Sequence, residues 1–242
     1  MFHVKHYIFF VVLILPVIIF TQIIDSTTSY ILNSENSRYI KFLKEYRFKI
    51  YAGKKFAGFI NLKISSTTDG GYVSTVDGKT EIPILFFLGD TETSEVEHYN
   101  NVFLPVKSTL VTLKGDTQVV TITEMLSNEN NCYRYSMVKK GKKYKEVELT
   151  LANEYILTAG NAIPVVSTTW DFYVVQSATF ILIDKQFLKT SKIKFNYLGK
   201  TEAGEHKVEV ILPYVGTKFF IYLDNEKNIK YAEGMGLKIY AE

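Results

Sequence analysis

Residues 46–51 read Tyr-Arg-Phe-Lys-Ile-Tyr, and residues 60–64 read Ile-Asn-Leu-Lys-Ile. In both stretches an apolar side chain occupies every second position, which is typical of a strand with one buried and one solvated face. Gly53 lies between the stretches and is followed by two lysines, a combination that indicates a hairpin turn. The two stretches therefore predict a pair of antiparallel strands.

The same alternation returns through the rest of the chain. Further hairpin turns are expected at residues 114–116, around Gly141 and at residues 224–228. This gives roughly ten strands spaced by about 8–12 residues, a pattern typical of all-β proteins. Because one face of each strand is apolar, the predicted fold class is mainly β, an antiparallel curved sheet or incomplete β-barrel of about ten strands. Two sheets stacked face to face satisfy the same pattern.

One segment, residues 167–186, does not alternate. It is too long and too continuously apolar for a strand with one exposed face. Thr168 or Thr169 is a suitable helix N-cap, and Asp171 would then lie in the first turn. We interpret the segment as a helix that covers the apolar side of the sheet. Its β-branched and aromatic content leaves two buried strands as the alternative.

The composition is that of a globular protein with a single domain. Of the 242 residues, 47% are hydrophobic and 22% are charged, which excludes intrinsic disorder. The 28 basic and 25 acidic residues give a net charge of +3, so there is no general electrostatic reason to bind nucleic acid. The single cysteine excludes a disulfide framework within the chain. No enrichment in Pro, Gly or Ser divides residues 45–242, which we interpret as one β-rich domain.

The N-terminal residues predict export. Residues 8–24 form an uncharged run of 17 residues that ends at Asp25. A cleavable signal has an apolar stretch of roughly 7–15 residues, whereas a spanning helix needs about 20. Residues 1–24 are therefore predicted to be a hydrophobic helix that is either a signal peptide or a signal anchor, and residues 25–44 a linker in which a short helix is expected. This places the domain in the periplasm or at the outer face of the inner membrane, with the membrane as a partner if residues 1–24 are retained.

Three groups of residues resemble a family of exported bacterial proteins of unknown function. They are Tyr46 to Gly53 with Phe56-Ala57-Gly58, Trp170 to Tyr173 with Ser177, and Phe220 to Asp224 with Ile229 to Gly234. The likeness spans most of residues 45–240. The family commonly has an Arg after the central group, where this chain has Lys185 or Lys189.

The family is similar in fold to the periplasmic lipoprotein carriers of the Lol type. In those carriers an incomplete β-barrel is closed by helices around an apolar cavity. The resemblance implies a fold that binds a lipid or a lipoprotein acyl chain.

Residue types with catalytic or metal-binding chemistry are scattered along the sequence. His98 and His206 have no second histidine at ligand spacing, and a zinc site needs three or four ligands. Cys132 lacks the flanking pattern of a catalytic cysteine. The chain contains no Gly-x-Ser-x-Gly elbow, phosphate-binding glycine loop or dinucleotide fingerprint. We therefore predict no catalytic residue, no cofactor, no metal and no enzymatic activity.

Acidic residues cluster at Glu92, Glu95 and Glu97. On a strand, Glu95 and Glu97 would share one face about 7 Å apart, a spacing that glycosidase carboxylates can have. No apolar residues interleave with them to shift a pKa. The favoured interpretation is a solvated acidic face.

Four lysines surround Gly141 at the tip of an expected hairpin. The functional interpretation is contact of Lys139, Lys140, Lys142 and Lys143 with anionic lipid headgroups. A solvated tip that discourages edge-to-edge pairing of strands is the alternative, and we favour it.

Two functions from different classes fit these observations. The first is a non-enzymatic exported cell-envelope protein that binds a lipid or another apolar ligand within the half-barrel. The second is a membrane-anchored structural or interaction protein of the envelope with a filled core. The residues predicted to line the apolar ligand are Phe48, Ile50, Ile60, Leu62, Trp170, Phe195, Tyr197, Val208, Val210, Phe220 and Tyr222.

Overall fold

The structure is a computed structural model that describes residues 37–80, 91–127, 131–151, 156–185, 189–212, 217–225, 227–234 and 236–242. The predicted N-terminal apolar helix and residues 25–36 of the predicted linker lie outside the described residues. Within the described ranges, no helix has the length and apolar composition needed to cross a bilayer.

The described part of the chain forms one sheet of fifteen strands, one α-helix and one short 3-10 helix. The 3-10 helix is Ser37–Phe42, and the α-helix α1 is Ala162–Thr169. The strands are β1 (Glu45–Ala52), β2 (Lys55–Ser66), β3 (Tyr72–Thr80), β4 (Thr91–Tyr99), β5 (Pro105–Lys114), β6 (Thr117–Ser127), β7 (Cys132–Lys139), β8 (Lys142–Thr150), β9 (Ile156–Leu157), β10 (Ser177–Asp184), β11 (Lys189–Lys200), β12 (His206–Leu212), β13 (Thr217–Leu223), β14 (Ile229–Gly234) and β15 (Leu237–Ala241).

The predicted alternation in the first two strands is confirmed. Phe48 and Ile50 of β1 and Ile60 and Leu62 of β2 are buried, and Phe48 lies directly opposite Ile60 in the antiparallel register. The intervening Lys49 is exposed. A period of two therefore orients one whole face of this hairpin toward the core.

The sheet is an up-and-down meander in which the first and the last strand along the chain pair with each other. Its spatial order is β8-β7-β6-β5-β4-β3-β2-β1-β15-β14-β13-β12-β11-β10-β9, so β1 pairs with β15 in the middle. All neighbours are antiparallel except β9 and β10. The sheet curls on itself, because Tyr133 and Tyr135 of β7 pack in one buried cluster with Ile156 of β9 and Ile183 of β10. The predicted curved, barrel-like antiparallel sheet is therefore confirmed.

The predicted number of about ten strands is wrong. The strands that the sequence pattern did not reveal are β3, β4, β9 and β10. The inward faces of β3 and β4 carry Ser74, Glu95 and Glu97, so these strands lack the apolar alternation by which the others were recognised. The residues of β9 are too few to show any period.

The predicted helix over residues 167–186 is also largely wrong. The helix α1 begins earlier, with Pro164 in its first turn, and ends at Thr169. The hydroxyls of Thr168 and Thr169 donate to the carbonyls of Pro164 and Val165, one turn earlier, instead of capping an N-terminus. Residues 177–184 form the strand β10, which pairs with β11 from Ser177 opposite Asn196 onward. Their β-branched and aromatic side chains favour a strand, as in the alternative interpretation.

The two helices cover the open side of the core. Residues 162–166 of α1 are all buried, and α1 packs against the 3-10 helix, which buries Tyr39 and Phe42. The ring of Tyr39 packs against Tyr72 and Phe103, at 5.7 and 4.8 Å between ring centroids. The helix predicted to cover the sheet thus exists, but it is displaced toward the N-terminus.

Asn161 holds the loop that enters α1. Its side-chain oxygen accepts a hydrogen bond from the backbone N–H of Thr158 at 2.8 Å. Its amide nitrogen donates to the carbonyls of Phe103 and Ile156, both at 3.0 Å. One buried amide therefore satisfies three backbone groups that no regular element satisfies.

Replacement of Asn161 by alanine is expected to lower the free energy of unfolding by about 2 kcal/mol, because three buried backbone groups lose their partner. Urea denaturation followed by the fluorescence of Trp170, the single tryptophan, measures this change. The exposed Asn101→Ala variant serves as the control and is expected to unfold at the wild-type urea concentration. Equal midpoints for all three proteins would contradict the assigned role.

Candidate functional site

The two carboxylates of β4 lie inside the half-barrel. Glu95 and Glu97 are 2% and 0% exposed, whereas their neighbours Ser94, Val96 and His98 point outward. The interpretation of this stretch as a solvated acidic face is therefore wrong. Successive side chains of a strand point to opposite faces, and on β4 two of the side chains that point to the core are the charged ones of Glu95 and Glu97.

Lys185 forms ion pairs with both carboxylates, although it lies near the opposite edge of the sheet in the strand order. It follows β10 directly, it is 4% exposed, and its ammonium donates to both Glu95 and Glu97, with 2.5 Å to the Oε1 of Glu97. Because β4 and β10 are far apart in the strand order, this ion cluster ties one half of the curled sheet to the other.

Hydroxyl groups complete the hydrogen bonding of Glu97. Its second oxygen accepts from the hydroxyl of Tyr99 at 2.5 Å and from that of Thr158 at 2.6 Å. The hydroxyl of Ser74 lies 2.9 Å from that of Tyr99. We call Ser74, Glu95, Glu97, Tyr99, Thr158 and Lys185 the buried polar cluster. Both oxygens of Glu97 are thus already held by the protein.

Burial and charge shift the ionisation of the cluster. Burial raises the pKa of Glu95, against the opposing attraction of Lys185. Burial alone would lower the pKa of Lys185, but the two carboxyl groups outweigh it and raise that pKa. Burial and the charge of Glu97 raise the pKa of Tyr99 well above its ordinary value, so Tyr99 stays a hydrogen-bond donor. One ammonium therefore faces two carboxyls.

A row of polar side chains extends from the cluster along the inner face of the sheet. Strand register places Ser74, Glu97, Ser108, Thr123 and Tyr135 as successive direct neighbours on β3 to β7, and all five are buried. We call this set the polar row. On β1 and β2, by contrast, the side chains that point to the interior are apolar.

On β6 and β7, three buried hydroxyls have no partner in the part of the chain that the structure describes. The hydroxyl oxygens of Thr123, Tyr133 and Tyr135 have no hydrogen-bond partner within the described part of the chain. Burial raises the pKa of both tyrosines, and the charge of Glu97 raises it further. Buried polar groups of this kind are normally hydrogen-bonded, so these hydroxyls are available to bind a polar molecule.

The predicted apolar lining is mostly closely packed core. The residues that are buried and pack together in the main cluster are Phe48, Ile50, Ile60, Leu62, Trp170, Phe195, Val208 and Val210. Contacts between their rings include Trp170 with Phe195 at 5.7 Å between centroids. Tyr197 lies at the margin of this cluster, with its hydroxyl 2.8 Å from the Nδ1 of His206.

Phe220 and Tyr222 do not share that face. On β13, Phe219, Ile221 and Leu223 pack in the main cluster, so Phe220 and Tyr222 point to the opposite face of the strand, where Tyr222 is also buried, at 7% exposed. There the ammonium of Lys207 lies 4.3 Å from the ring centroid of Phe220, and Tyr222 stacks on Tyr231. Phe220 and Tyr222 therefore do not share the face of the other predicted lining residues, because successive side chains of a strand point to opposite faces.

The four lysines at residues 139–143 are exposed at the β7–β8 turn, as expected of a hairpin tip. Strand polarity places this turn at the same end of the sheet as the β1–β2 turn and at the opposite end from the start of β1. The ammonium of Lys143 pairs with Glu146. Their contact with lipid headgroups stays a prediction.

The remaining candidate residues stand apart from the cluster. His98 is exposed beside a cleft of about 510 Å³ between the β2–β3 and β4–β5 turns. Cys132 is half-buried at the start of β7. Among the described residues, no three His, Cys, Asp or Glu side chains are grouped so that they could hold a metal ion.

Sequence reasoning missed the buried polar cluster as a unit. The sequence pattern places Glu95 and Glu97 on one face of a strand. The family resemblance draws attention to Lys185 only because the family commonly has an Arg there. A usable signal exists in Ser74, Glu97, Ser108 and Thr123, since polar residues repeat at the inward phase of four consecutive strands. That signal becomes readable only once the strand register is known.

Comparison with known proteins gives a similarity of fold. Among solved structures, the chain is similar to the crystal structure of a beta-barrel-like protein of domain of unknown function DUF1849 from Brucella abortus. The TM-score is 0.49 and the identity 8%, and the alignment covers 83% of this chain and 95% of that chain. No family model matches the sequence, and no curated protein does.

Proposed function

We propose that this chain is an exported cell-envelope protein that binds a small polar molecule inside the half-barrel and does not act on it. The molecule contacts the hydroxyls of Thr123, Tyr133 and Tyr135 next to the buried polar cluster. The observation that carries the proposal is the presence of these three buried hydroxyls without a partner, beside two carboxyls and one ammonium.

The chemistry of the site favours a molecule with several hydrogen-bonding groups. A hydroxyl can donate and accept, and the two phenols also offer apolar ring faces. Two carboxyls face a single ammonium, so a molecule with a positive or hydrogen-donating group complements the cluster. Sugars, polyols and small amines are the classes with this chemistry.

Binding is favoured over catalysis by the way the carboxyls are held. Glu97 receives three hydrogen bonds, from Lys185, Tyr99 and Thr158. A carboxylate with both oxygens engaged is poorly placed to attack a substrate or to remove a proton from it. The lipid expected from the sequence is less well supported, since the predicted lining residues pack against one another.

The test is the identification of what the protein carries. The full chain is purified without denaturant from its producing cell and then heated, and the released small molecules are identified by mass spectrometry. We expect one polar species in near-stoichiometric amount from the wild type. The double variant Thr123→Val, Tyr135→Phe keeps the side-chain volume but removes two hydroxyls, and is expected to release at least about tenfold less.

The matched control is Tyr240→Phe, which removes a hydroxyl from an exposed tyrosine on β15. This variant is expected to release the wild-type amount. Equal release from all three proteins, or recovery of a lipid as the bound species, would contradict the proposal. Intact-mass measurement of the same preparation shows whether residues 1–24 have been removed, as export through a cleaved signal requires.

A second candidate function is a membrane-anchored structural or interaction protein with a filled core. The close packing of Ile50, Leu62, Phe195 and Val210 favours it, because each of these predicted lining residues is fully buried by other side chains of the same cluster. Wild-type protein that releases no small molecule would support this second function against the first.

A further inference from the structure

Three consecutive apolar residues are exposed between α1 and β10. Val174 is 79% exposed, and its neighbours Tyr173 and Val175 are 51% and 52% exposed. Leu198 of β11 is also exposed, next to Tyr197, whose backbone N–H donates to the carbonyl of Gln176. We call Tyr173, Val174, Val175 and Leu198 the apolar tip. Three consecutive exposed apolar residues form a patch of the kind that is typical of a contact site.

The apolar tip is held rigidly by the chain beneath it. The backbone N–H groups of Val174 and Val175 donate to the carbonyl of Asp171, at 3.0 and 2.9 Å. The indole N–H of Trp170 donates to the carbonyl of Val175 at 2.5 Å. Because both the backbone and the anchoring indole are fixed, the exposure of the valines is a property of the fold.

The side of Tyr173 that faces the protein is also fixed. Its hydroxyl lies 3.1 Å from the Nε2 of His206, whose other ring nitrogen bonds Tyr197. The ammonium of Lys227 lies 4.2 Å from the ring centroid of Tyr173 and 4.6 Å from that of Phe172. Burial and the charges of Lys200 and Lys227 lower the pKa of His206, so the ring is neutral between the two phenols.

The apolar tip lies at the end of the sheet where the chain enters the domain. Strand polarity places the start of β10, the β11–β12 turn and the β13–β14 turn at the same end as the start of β1. The 3-10 helix Ser37–Phe42 leads into β1 at this end. The lysines of residues 139–143 lie at the opposite end.

The sequence before the 3-10 helix contains the apolar run of residues 8–24. Residues 25–36 separate that run from the domain, and twelve residues reach at most about 40 Å when extended. A bilayer that holds residues 8–24 is therefore within reach of the end of the domain that carries the apolar tip. Tethering at this distance raises the effective concentration of the tip at the bilayer surface.

We propose that the apolar tip inserts into the interfacial region of the phospholipid bilayer that holds residues 8–24. Val174 and Val175 enter the apolar edge of the bilayer, and the phenol of Tyr173 lies at the level of the headgroups, where tyrosine is enriched in membrane proteins. The domain then stands on the membrane with the lysine hairpin pointing away from it. This proposal goes beyond the binding of a polar molecule, and it rests on the proposed membrane location with residues 1–24 retained.

The test measures the depth of single labelled positions. Full-length chain with residues 1–24 retained is made by cell-free synthesis into nanodiscs of phosphatidylethanolamine and phosphatidylglycerol. Cys132 is replaced by serine, and an environment-sensitive fluorophore is attached through Val174→Cys or, as the matched control, through Lys140→Cys at the opposite end. Brominated lipids then report contact with the acyl chains by quenching.

We expect several-fold stronger quenching at position 174 than at position 140, with a blue-shifted emission at 174 only. The additional substitution Val175→Asp is expected to remove most of the quenching at 174, while the urea midpoint of unfolding stays unchanged because the side chain is exposed. Quenching at 174 no stronger than at 140 would overturn the proposal, whether the tip is solvated or covered by another protein. Unaltered quenching in the Val175→Asp variant would overturn it as well.

Discussion

Replacement of Lys185 by methionine is expected to lower the free energy of unfolding by about 3–5 kcal/mol. Methionine has a similar length, so the change removes the charge and leaves little empty volume. Glu95 and Glu97 would then be buried without a counter-ion, and the tie between β4 and the chain after β10 would be lost. Removing one partner of a buried ion pair leaves a buried charge without a counter-ion. This lowers the free energy of unfolding far more than replacing all members of the pair by uncharged residues.

The loss is expected to depend on pH with a definite sign. Burial already raises the pKa of Glu95, and loss of the opposing charge of Lys185 would raise it further above its value in the unfolded chain. The folded protein then binds more protons than the unfolded chain, so the stability of the variant falls as pH rises. The difference in free energy of unfolding from the wild type should therefore be larger at pH 8 than at pH 5.

Urea denaturation at several pH values, followed by Trp170 fluorescence, measures both effects. Lys194→Met is the matched control, since Lys194 is exposed on the neighbouring strand β11, and it is expected to change stability by less than about 0.5 kcal/mol. The triple variant Lys185→Met, Glu95→Gln, Glu97→Gln has no uncompensated charge and should regain much of the stability. A Lys185→Met protein as stable as the control at pH 8 would contradict the buried ion cluster.

Replacement of Gly160 by alanine is expected to lower the free energy of unfolding by about 3 kcal/mol. A Cβ atom at this position would lie 1.9 Å from the hydroxyl oxygen of Ser74 and 2.3 Å from that of Tyr99. Both hydroxyls belong to the buried polar cluster, and Tyr99 is bonded to Glu97. The added methyl group therefore pushes the loop of Thr158 away from the carboxyl that it binds.

Gly78→Ala provides the matched control for this substitution. Gly78 lies on β3, and a Cβ there meets its nearest neighbour, the hydroxyl oxygen of Thr93, at 3.3 Å. We expect a change of less than about 1 kcal/mol, because small adjustments of that side chain relieve the contact. Thermal unfolding of the two variants side by side measures the difference. Equal melting temperatures would show that the loop before α1 does not approach Ser74 and Tyr99 as closely as described.

The function of the polar cluster and that of the apolar tip are experimentally separable. The variants of Thr123 and Tyr135 change side chains in the interior, whereas the variant of Val175 changes only an exposed loop. A protein that carries a polar molecule and also contacts the bilayer would pass both tests. A protein that passes only the second is the membrane-anchored interaction protein with a filled core.

Secondary structure was predictable where the residues of a strand alternate in polarity by themselves. Phe48 and Ile50 alternate with Arg47 and Lys49, and the hairpin to Ile60 follows from the local turn. The strand β10 was misassigned because its continuous apolar run does not distinguish a helix from a buried strand. Its identity depends on the ladder with β11, which joins residues that no local pattern connects.

The sequence by itself determined the mainly β, antiparallel character of this protein and the apolar inner face of β1 and β2. These follow from interactions between residues two positions apart and across short turns. Only the tertiary structure decided that Glu95 and Glu97 face inward, since their counter-ion Lys185 lies 90 and 88 positions away in the chain. A buried charge is tolerated only where a partner of opposite charge contacts it. Here that contact forms only when the sheet has folded.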